Sequence, residues 1–242
     1  MNLIIDQGNT KAKIAIFNNQ ELYKLTELNA LTVKSLEQFV GNLEIENCIL
    51  SSVKILPTQM SEYLQSRFRI YIRLDYQTPM PLTLGYRTPA TLGCDRIAAI
   101  AGAGAEYPGK PVIVIDAGTA VTYDFMNSDG VFEGGNIAPG LHMRLKSLHQ
   151  FTDRLPNVDP LGDAPLTGYD THTAIRSGVI NGICYEIEGF VAIIRATHPS
   201  VLVFLTGGDS IFLAEKIKYP IFVDKNLVLK GLNRILNYNV EQ

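Results

Sequence analysis

Leu3-Ile4-Ile5-Asp6-Gln7-Gly8-Asn9-Thr10 decides the fold. The three apolar residues read as a buried strand, and Asp, Gly and Asn then supply a turn. Beyond the turn, Ile14, Ile16 and Phe17 resume a β-type apolar pattern, with Lys11 and Lys13 before them. The reading is strand, tight polar turn, strand. A dinucleotide-binding or Walker-type loop instead needs strand, turn, helix. A carboxylate, a glycine and a hydroxyl at such a turn can face a phosphate and its metal. Glycine lets the main chain approach, and successive N–H groups can form an anion-binding concavity.

The device recurs at Ile113-Val114-Ile115-Asp116-Ala117-Gly118-Thr119-Ala120, after which Val121, Tyr123 and Phe125 alternate with Thr122 and Asp124. Setting Asp6 on Asp116 places Gly8 on Gly118. Either Asp-x-Gly alone reads equally well as a plain hairpin turn. Two turns of one design, one per half, predict a duplicated α/β fold of two mixed-sheet halves, residues 1–110 and 111–242, with a cleft and a site between them.

The remaining sequence bounds the possibilities. The chain has 242 residues, 46% hydrophobic and 19% charged, ample for a core, and its net charge of −3 gives no electrostatic support for a nucleic-acid partner. Cys48, Cys94 and Cys184 are odd in number and contain no Cys-x-x-Cys pair, so neither a disulfide framework nor a zinc site is indicated. They read as thiols in a reducing cytoplasm. The N-terminus does not read as a signal peptide. No uninterrupted apolar run approaches the roughly 20 residues of a membrane span, so no membrane partner is expected.

Along the chain, strands are expected at residues 21–26, 47–53 and 70–74. Helices are expected at 32–40, stopped by Gly41, and after Pro57. Residues 75–93 read as one long irregular loop, which in a compact domain is usually functional. It ends at Gly93-Cys94-Asp95-Arg96, ahead of a helix over 97–105, where Asp95 reads as a helix cap or a functional carboxylate. Gly104 to Lys110 imitates a Walker A string, but Pro111 stands where Ser or Thr is required and a strand follows where a helix is required. In the second half a strand over 130–138 carries Gly134-Gly135-Asn136, a sign of close main-chain approach or a bulge. Pro139-Gly140 opens a helix through 148, with His142 and His149 facing solvent. Residues 151–168 are irregular. Asp170-Thr171 caps a helix through 196, interrupted by Gly178 and Gly182. A strand over 201–205 ends in Thr206-Gly207-Gly208-Asp209, readable as a plain turn or as a seat for a flat ligand or phosphate. A last helix covers 227–236.

This organisation resembles the actin-like ATPase (ribonuclease H-like) fold, and its motifs resemble one family within it, type III pantothenate kinase. Asp6 to Lys13 matches the family's Asp-x-Gly-Asn-Thr-x-x-Lys. Asp116 to Ala120 matches Asp-x-Gly-Thr-Ala, and Gly93, Asp95 and Arg96 match Gly-x-Asp-Arg. Tyr86 and Thr171 fall where the family has substrate-contacting residues. Cys94 departs mildly from a position that is often small and aliphatic. The resemblance spans the whole chain.

It implies ATP-dependent phosphorylation of pantothenate to 4′-phosphopantothenate, the first step towards coenzyme A. It also implies the residue roles. Asp6, Gln7, Gly8, Asn9, Thr10, Lys11, Ala12, Lys13 and Thr119 would bind ATP, with Asp6 holding Mg²⁺ directly or through water. Asp116 would bind a monovalent cation, K⁺ or NH₄⁺. Asp95 would be the catalytic base. Tyr86, Gly93, Cys94, Asp95, Arg96 and Thr171 would line the pantothenate site, Arg96 gripping the substrate carboxylate. The family's members are homodimers. Two rivals are another small-molecule kinase or phosphatase of this fold, which should lack the Tyr86, Asp95-Arg96 and Thr171 set, and a non-catalytic regulator, which should have lost one of Asp6, Asp95 and Asp116.

Overall fold

The computed structural model describes residues 1–241. They divide into two units. The first comprises Met1–Pro108, Gly130–Phe132 and the segment from Asn226 onward; the second comprises Gly109–Asp129 and Glu133–Lys225.

In the first unit, β1 (Asn2–Gln7), β2 (Ala12–Asn18) and β3 (Glu21–Leu28) form an antiparallel meander. β4 (Asn47–Ser52) joins β1 in parallel and β5 (Ile70–Arg73) joins β4, giving the order β3-β2-β1-β4-β5. Leu3, Ile4 and Ile5 are all fully buried, as an apolar run covered on both faces requires. Leu3 and Ile5, with Ile14, Ile16, Cys48 and Leu50, pack against Leu36 and Phe39 of α1 (Val33–Val40) and Met60 and Leu64 of α2 (Thr58–Arg67). The sheet's other face meets α3 (Cys94–Glu106) and α7 (Leu227–Val240). These two helices touch main chain to main chain: a side chain on Gly231 would overlap the Ala98 carbonyl, and one on Gly102 the Leu227 carbonyl. A buried amide network anchors α7 to the sheet. Asn2 donates to Asn233 (2.9 Å) and Asn237 (2.6 Å), Asn47 donates to Asn2 (3.1 Å), and Asn233 donates to the Asn19 carbonyl (2.8 Å).

The second unit repeats the plan. β7 (Val112–Ala117) pairs antiparallel with β8 (Ala120–Met126), β9 (Val131–Pro139) lies beside β8, and β10 (Leu202–Thr206) and, after the short helix α6 (Ser210–Ala214), β11 (Phe222–Val223) continue in parallel on β7's other side. The order β9-β8-β7-β10-β11 is that of the first sheet. Ile113 and Ile115 pack on Leu141 and Leu145 of α4 (Leu141–Gln150) and on Ile175, Val179, Ile183 and Ile187 of α5 (Thr171–Thr197). The start of β9 groups with the first unit, where Val131 and Phe132 pair in parallel with β6 (Thr83–Leu84).

Several expectations need correcting. The loop over 75–93 contains β6 and a 3₁₀ turn, Pro89–Thr91. Both are too short to leave a periodic signal. Gly178 and Gly182 do not interrupt α5, which runs unbroken: glycine inside a helix costs about 1 kcal/mol, and the helix is held by its apolar face. That helix is also, among the described residues, the one long and apolar enough by composition to cross a membrane, although its apolar face is packed in the second unit's core. The cut at residues 110 and 111 leaves α7 with the second half, whereas its contacts place it in the first unit.

Candidate active site

Asp6 is the penultimate residue of β1, opposite Lys13 of β2 and Ser51 of β4. It is held there by two strands at once, one antiparallel and one parallel. Burial and the nearby Asp95 carboxylate raise its pKa to about 6, against the lowering influence of Lys13 and a hydrogen bond from Ser51. The Gly8 N–H donates to the Lys11 carbonyl (3.0 Å) and closes the turn. Asn9 and Thr10 are exposed at its tip. The Gln7 side chain accepts from Ser52 Oγ (2.8 Å), Lys11 pairs with Glu27 on β3 (3.0 Å), and the Ala12 side chain is in the core. Any contact Ala12 makes with a ligand is therefore through its main chain.

Gly93 occupies the cap position of α3, and Asp95 lies in its first turn. The helix-cap reading of Asp95 is thus displaced by two residues: its Oδ1 accepts from the Arg96 N–H (2.9 Å). A side chain on Gly93 would collide with that Oδ1, so the glycine leaves the volume that the carboxylate fills. The Cys94 thiol donates to the Leu74 carbonyl (3.1 Å), tying the start of α3 to the end of β5. Burial and the Asp95 and Asp75 carboxylates raise its pKa. Arg96 is buried, with its guanidinium over the rings of Tyr86 and Phe132. The first unit therefore gathers Asp6, Lys13, Asp95, Arg96 and Tyr86 around the ends of β1 and α3.

In the second unit Asp116 is the penultimate residue of β7 as Asp6 is of β1, flanked by Thr122 of β8 and Thr206 of β10. The Gly118 N–H donates to the Ala120 carbonyl (3.0 Å). This turn is shorter, and Thr119 is exposed on it. Gly140, at the start of α4, packs directly on the Gly118 and Thr119 carbonyls and donates its N–H to the latter (3.1 Å). Gly207 has φ 94° and lies against the Ala117 carbonyl and the Asp116 carboxylate, where any side chain would clash. Gly208 has open space at its α-carbon. The Gly-Gly pair thus divides its labour: the first glycine is required by the fold and the second presents a bare main chain. Thr171 is the exposed first residue of α5, which Asp170 caps through the Thr173 N–H (2.8 Å). His142 is exposed, 3.8 Å from Asp209, and His149 is exposed as expected.

Sequence reading missed Ser51, Phe132 and Thr122, and named Thr206 only as the start of the Gly-Gly turn. Ser51 and Thr206 share one position in the two sheets, beside each aspartate on the parallel neighbour strand, and aligning the repeats through β4 and β10 would have found Ser51. The Thr122 hydroxyl is buried with no hydrogen-bond partner among the described residues.

Two sheets of one order, each with an aspartate closing its first strand, define the actin-like ATPase fold of the sugar kinases. A ROK hexokinase from Thermus thermophilus shares it, with TM-score 0.53 at 12% identity over 98% of this chain and 99% of that one. A Campylobacter jejuni protein of the Baf family superposes with TM-score 0.65 at 24% identity, covering 99% of this chain and all of that one. A sequence model of type III pantothenate kinase matches residues 2–193, and a type III pantothenate kinase of Bacteroides fragilis is 48% identical over 99% of this chain and 98% of its own length. The chain belongs to the type III pantothenate kinase family.

Proposed function

We propose that this protein transfers the γ-phosphoryl group of ATP to the primary hydroxyl of pantothenate, the opening step of coenzyme A synthesis. The observation that carries the reading is that Asp95 and Arg96 open one helix while Asp95 acts electrostatically on Asp6 at the end of β1. Phosphoryl transfer depends on positioning and charge neutralisation, and the three groups supply a base, an anion clamp and a phosphate-side carboxylate within one unit. In this reading the main chain of Gly8 to Ala12, with Gln7, Lys13 and Thr119, holds ATP. Asp95 takes the hydroxyl proton. Arg96 grips the substrate carboxylate through two bonds, with Tyr86, Gly93, Cys94 and Thr171 around the acceptor.

Two cations belong to the reading. Mg²⁺ fits Asp6: it takes hard oxygen ligands, usually one or two carboxylates, and two mutually repelling carboxylates offer it a favourable place. Bound there, directly or through water, it neutralises phosphate charge. K⁺ or NH₄⁺ fits Asp116, because Thr122, directly opposite on β8, carries a buried hydroxyl oxygen without a partner among the described residues.

A homodimer in the cytoplasm completes the reading. Its support is the outward face of α5, where Gly178, Gly182 and Gly189 would each accept a side chain without meeting anything within 4 Å, beside exposed Tyr185 and Ile193. The test of the function is ATP turnover coupled to pantothenate, with and without K⁺, in wild type and Asp116→Asn. Pantothenate-dependent turnover stimulated by K⁺, with the stimulation weakened in the variant, is the expected result. Turnover indifferent to pantothenate overturns it.

A further inference from the structure

Phe132 is fully buried at the start of β9 and meets two groups of the pantothenate site in different ways. Its ring centroid lies 5.9 Å from the Arg96 guanidinium carbon, which is also 5.7 Å from the Tyr86 ring. The two rings are 6.1 Å apart at 31°. Both distances fall within the range of about 6 Å over which an aromatic face attracts a cation. Phe132 also acts through its main chain. Its carbonyl accepts from the Gly85 N–H (2.9 Å), and Leu84 pairs with it in register. That ladder fixes the strand immediately before Tyr86, in a segment otherwise stabilised by short turns.

We propose that Phe132 is a positioning residue for recognition of the substrate's acid end. Resting on the functional reading above, it sets both members of the clamp, Arg96 through its ring and Tyr86 through its peptide, without touching substrate itself. An arginine side chain has many rotamers, and ordering one on binding costs free energy. A guanidinium already held over a buried ring has lost that freedom beforehand, which tightens binding by preorganisation. The benefit falls on acceptors carrying a carboxylate. Pantetheine, which has a neutral amide there, should gain little from it.

The test compares wild type, Phe132→Leu and a series with fluorinated phenylalanines at position 132. Fluorination drains negative charge from the ring face with little change of shape, so it separates ring electrostatics from packing and remains informative if the leucine variant folds poorly. The expected result is a rise of about five- to thirty-fold in KM for pantothenate in Phe132→Leu. A graded rise should follow fluorine number, with KM for ATP and kcat within about twofold of wild type. The preference for pantothenate over pantetheine, measured by kcat/KM, should fall in parallel. In an Arg96→Lys background the fluorinated series should lose most of its effect. A wild type that leaves pantothenate unphosphorylated overturns the functional reading and this inference with it. A wild type active on pantothenate, with KM insensitive to fluorination or with both acceptors weakened equally, overturns the inference alone.

Discussion

Asp6 is a buried carboxylate with a second carboxylate, Asp95, acting on its charge. Its pKa is raised well above the ordinary carboxylate range, to about 6, by burial first and Asp95 second. A carboxyl raised in the folded state stabilises that state fully below its unfolded pKa, near 4, and the contribution is lost as pH rises through about 6. Free of metal and nucleotide, the protein should therefore be held back at neutral pH by ionised Asp6. Asp6→Asn should be more stable than wild type at pH 8, by about 2 kcal/mol after allowance for partial solvent contact, and the gap should narrow towards pH 5. A gap that does not vary with pH rejects this account. Asp95→Asn should keep nucleotide affinity and lose about 10²- to 10⁴-fold in turnover, the usual contribution of a positioned base. Gly93→Ala should reproduce part of that loss, since the new methyl must displace the Asp95 carboxylate. Near-wild-type turnover in both variants would remove Asp95 from the proton's path.

Elements locate these residues through contacts that are far apart in sequence. α3 carries Asp95 and Arg96, and α7 crosses it with glycine against carbonyl at two points. α7 in turn is registered on β1 and β4 by the amide network of Asn2, Asn47, Asn233 and Asn237. Asn233→Leu should strand the Asn19 carbonyl and one Asn2 bond, at about 1–3 kcal/mol. For a chain of this size that lowers the melting temperature by several degrees, readable by calorimetry. An unchanged melting temperature would mean that the network relaxes without loss.

The same long-range dependence explains what could be read in advance. β1, β2, β7 and β8 were legible because a turn with Asp, Gly and a hydroxyl lies between apolar runs, and both signals are local. Asp95 and Arg96 were legible as candidates by their motif. Phe132 was not, because it is an ordinary apolar residue in an ordinary strand until folding brings Arg96 over it. The two-residue strands β6 and β11 exist only because a neighbour offers its edge. From sequence alone α5 reads as broken because its glycines disfavour a helix by propensity, and the core that its opposite face fills is invisible there.

At the scale of the whole molecule, the fold is one plan used twice, with its two aspartates assigned different cations in the proposed reaction. The outward glycines of α5 suit close approach of a second helix, since only small residues let two main chains meet. Gly182→Leu should shift the protein from dimer to monomer in sedimentation at micromolar concentration while leaving its circular dichroism intact. A variant that stays dimeric places the subunit contact elsewhere.

The grouping of α7 with the first unit has a consequence for biosynthesis. The ribosome delivers residues 1–108 first, but their partner helix begins at Asn226, after the second unit has been made. Until then the apolar faces of α3 and the β1–β4 surface lack their cover. The second unit, continuous apart from three residues, can form while translation proceeds; the first must wait in a collapsed, incomplete state for the last helix to emerge. Released chains truncated just before Asn226 should thus be cleaved by protease within the N-terminal hundred residues and spared in the segment made later, reversing the usual order in which domains mature during synthesis.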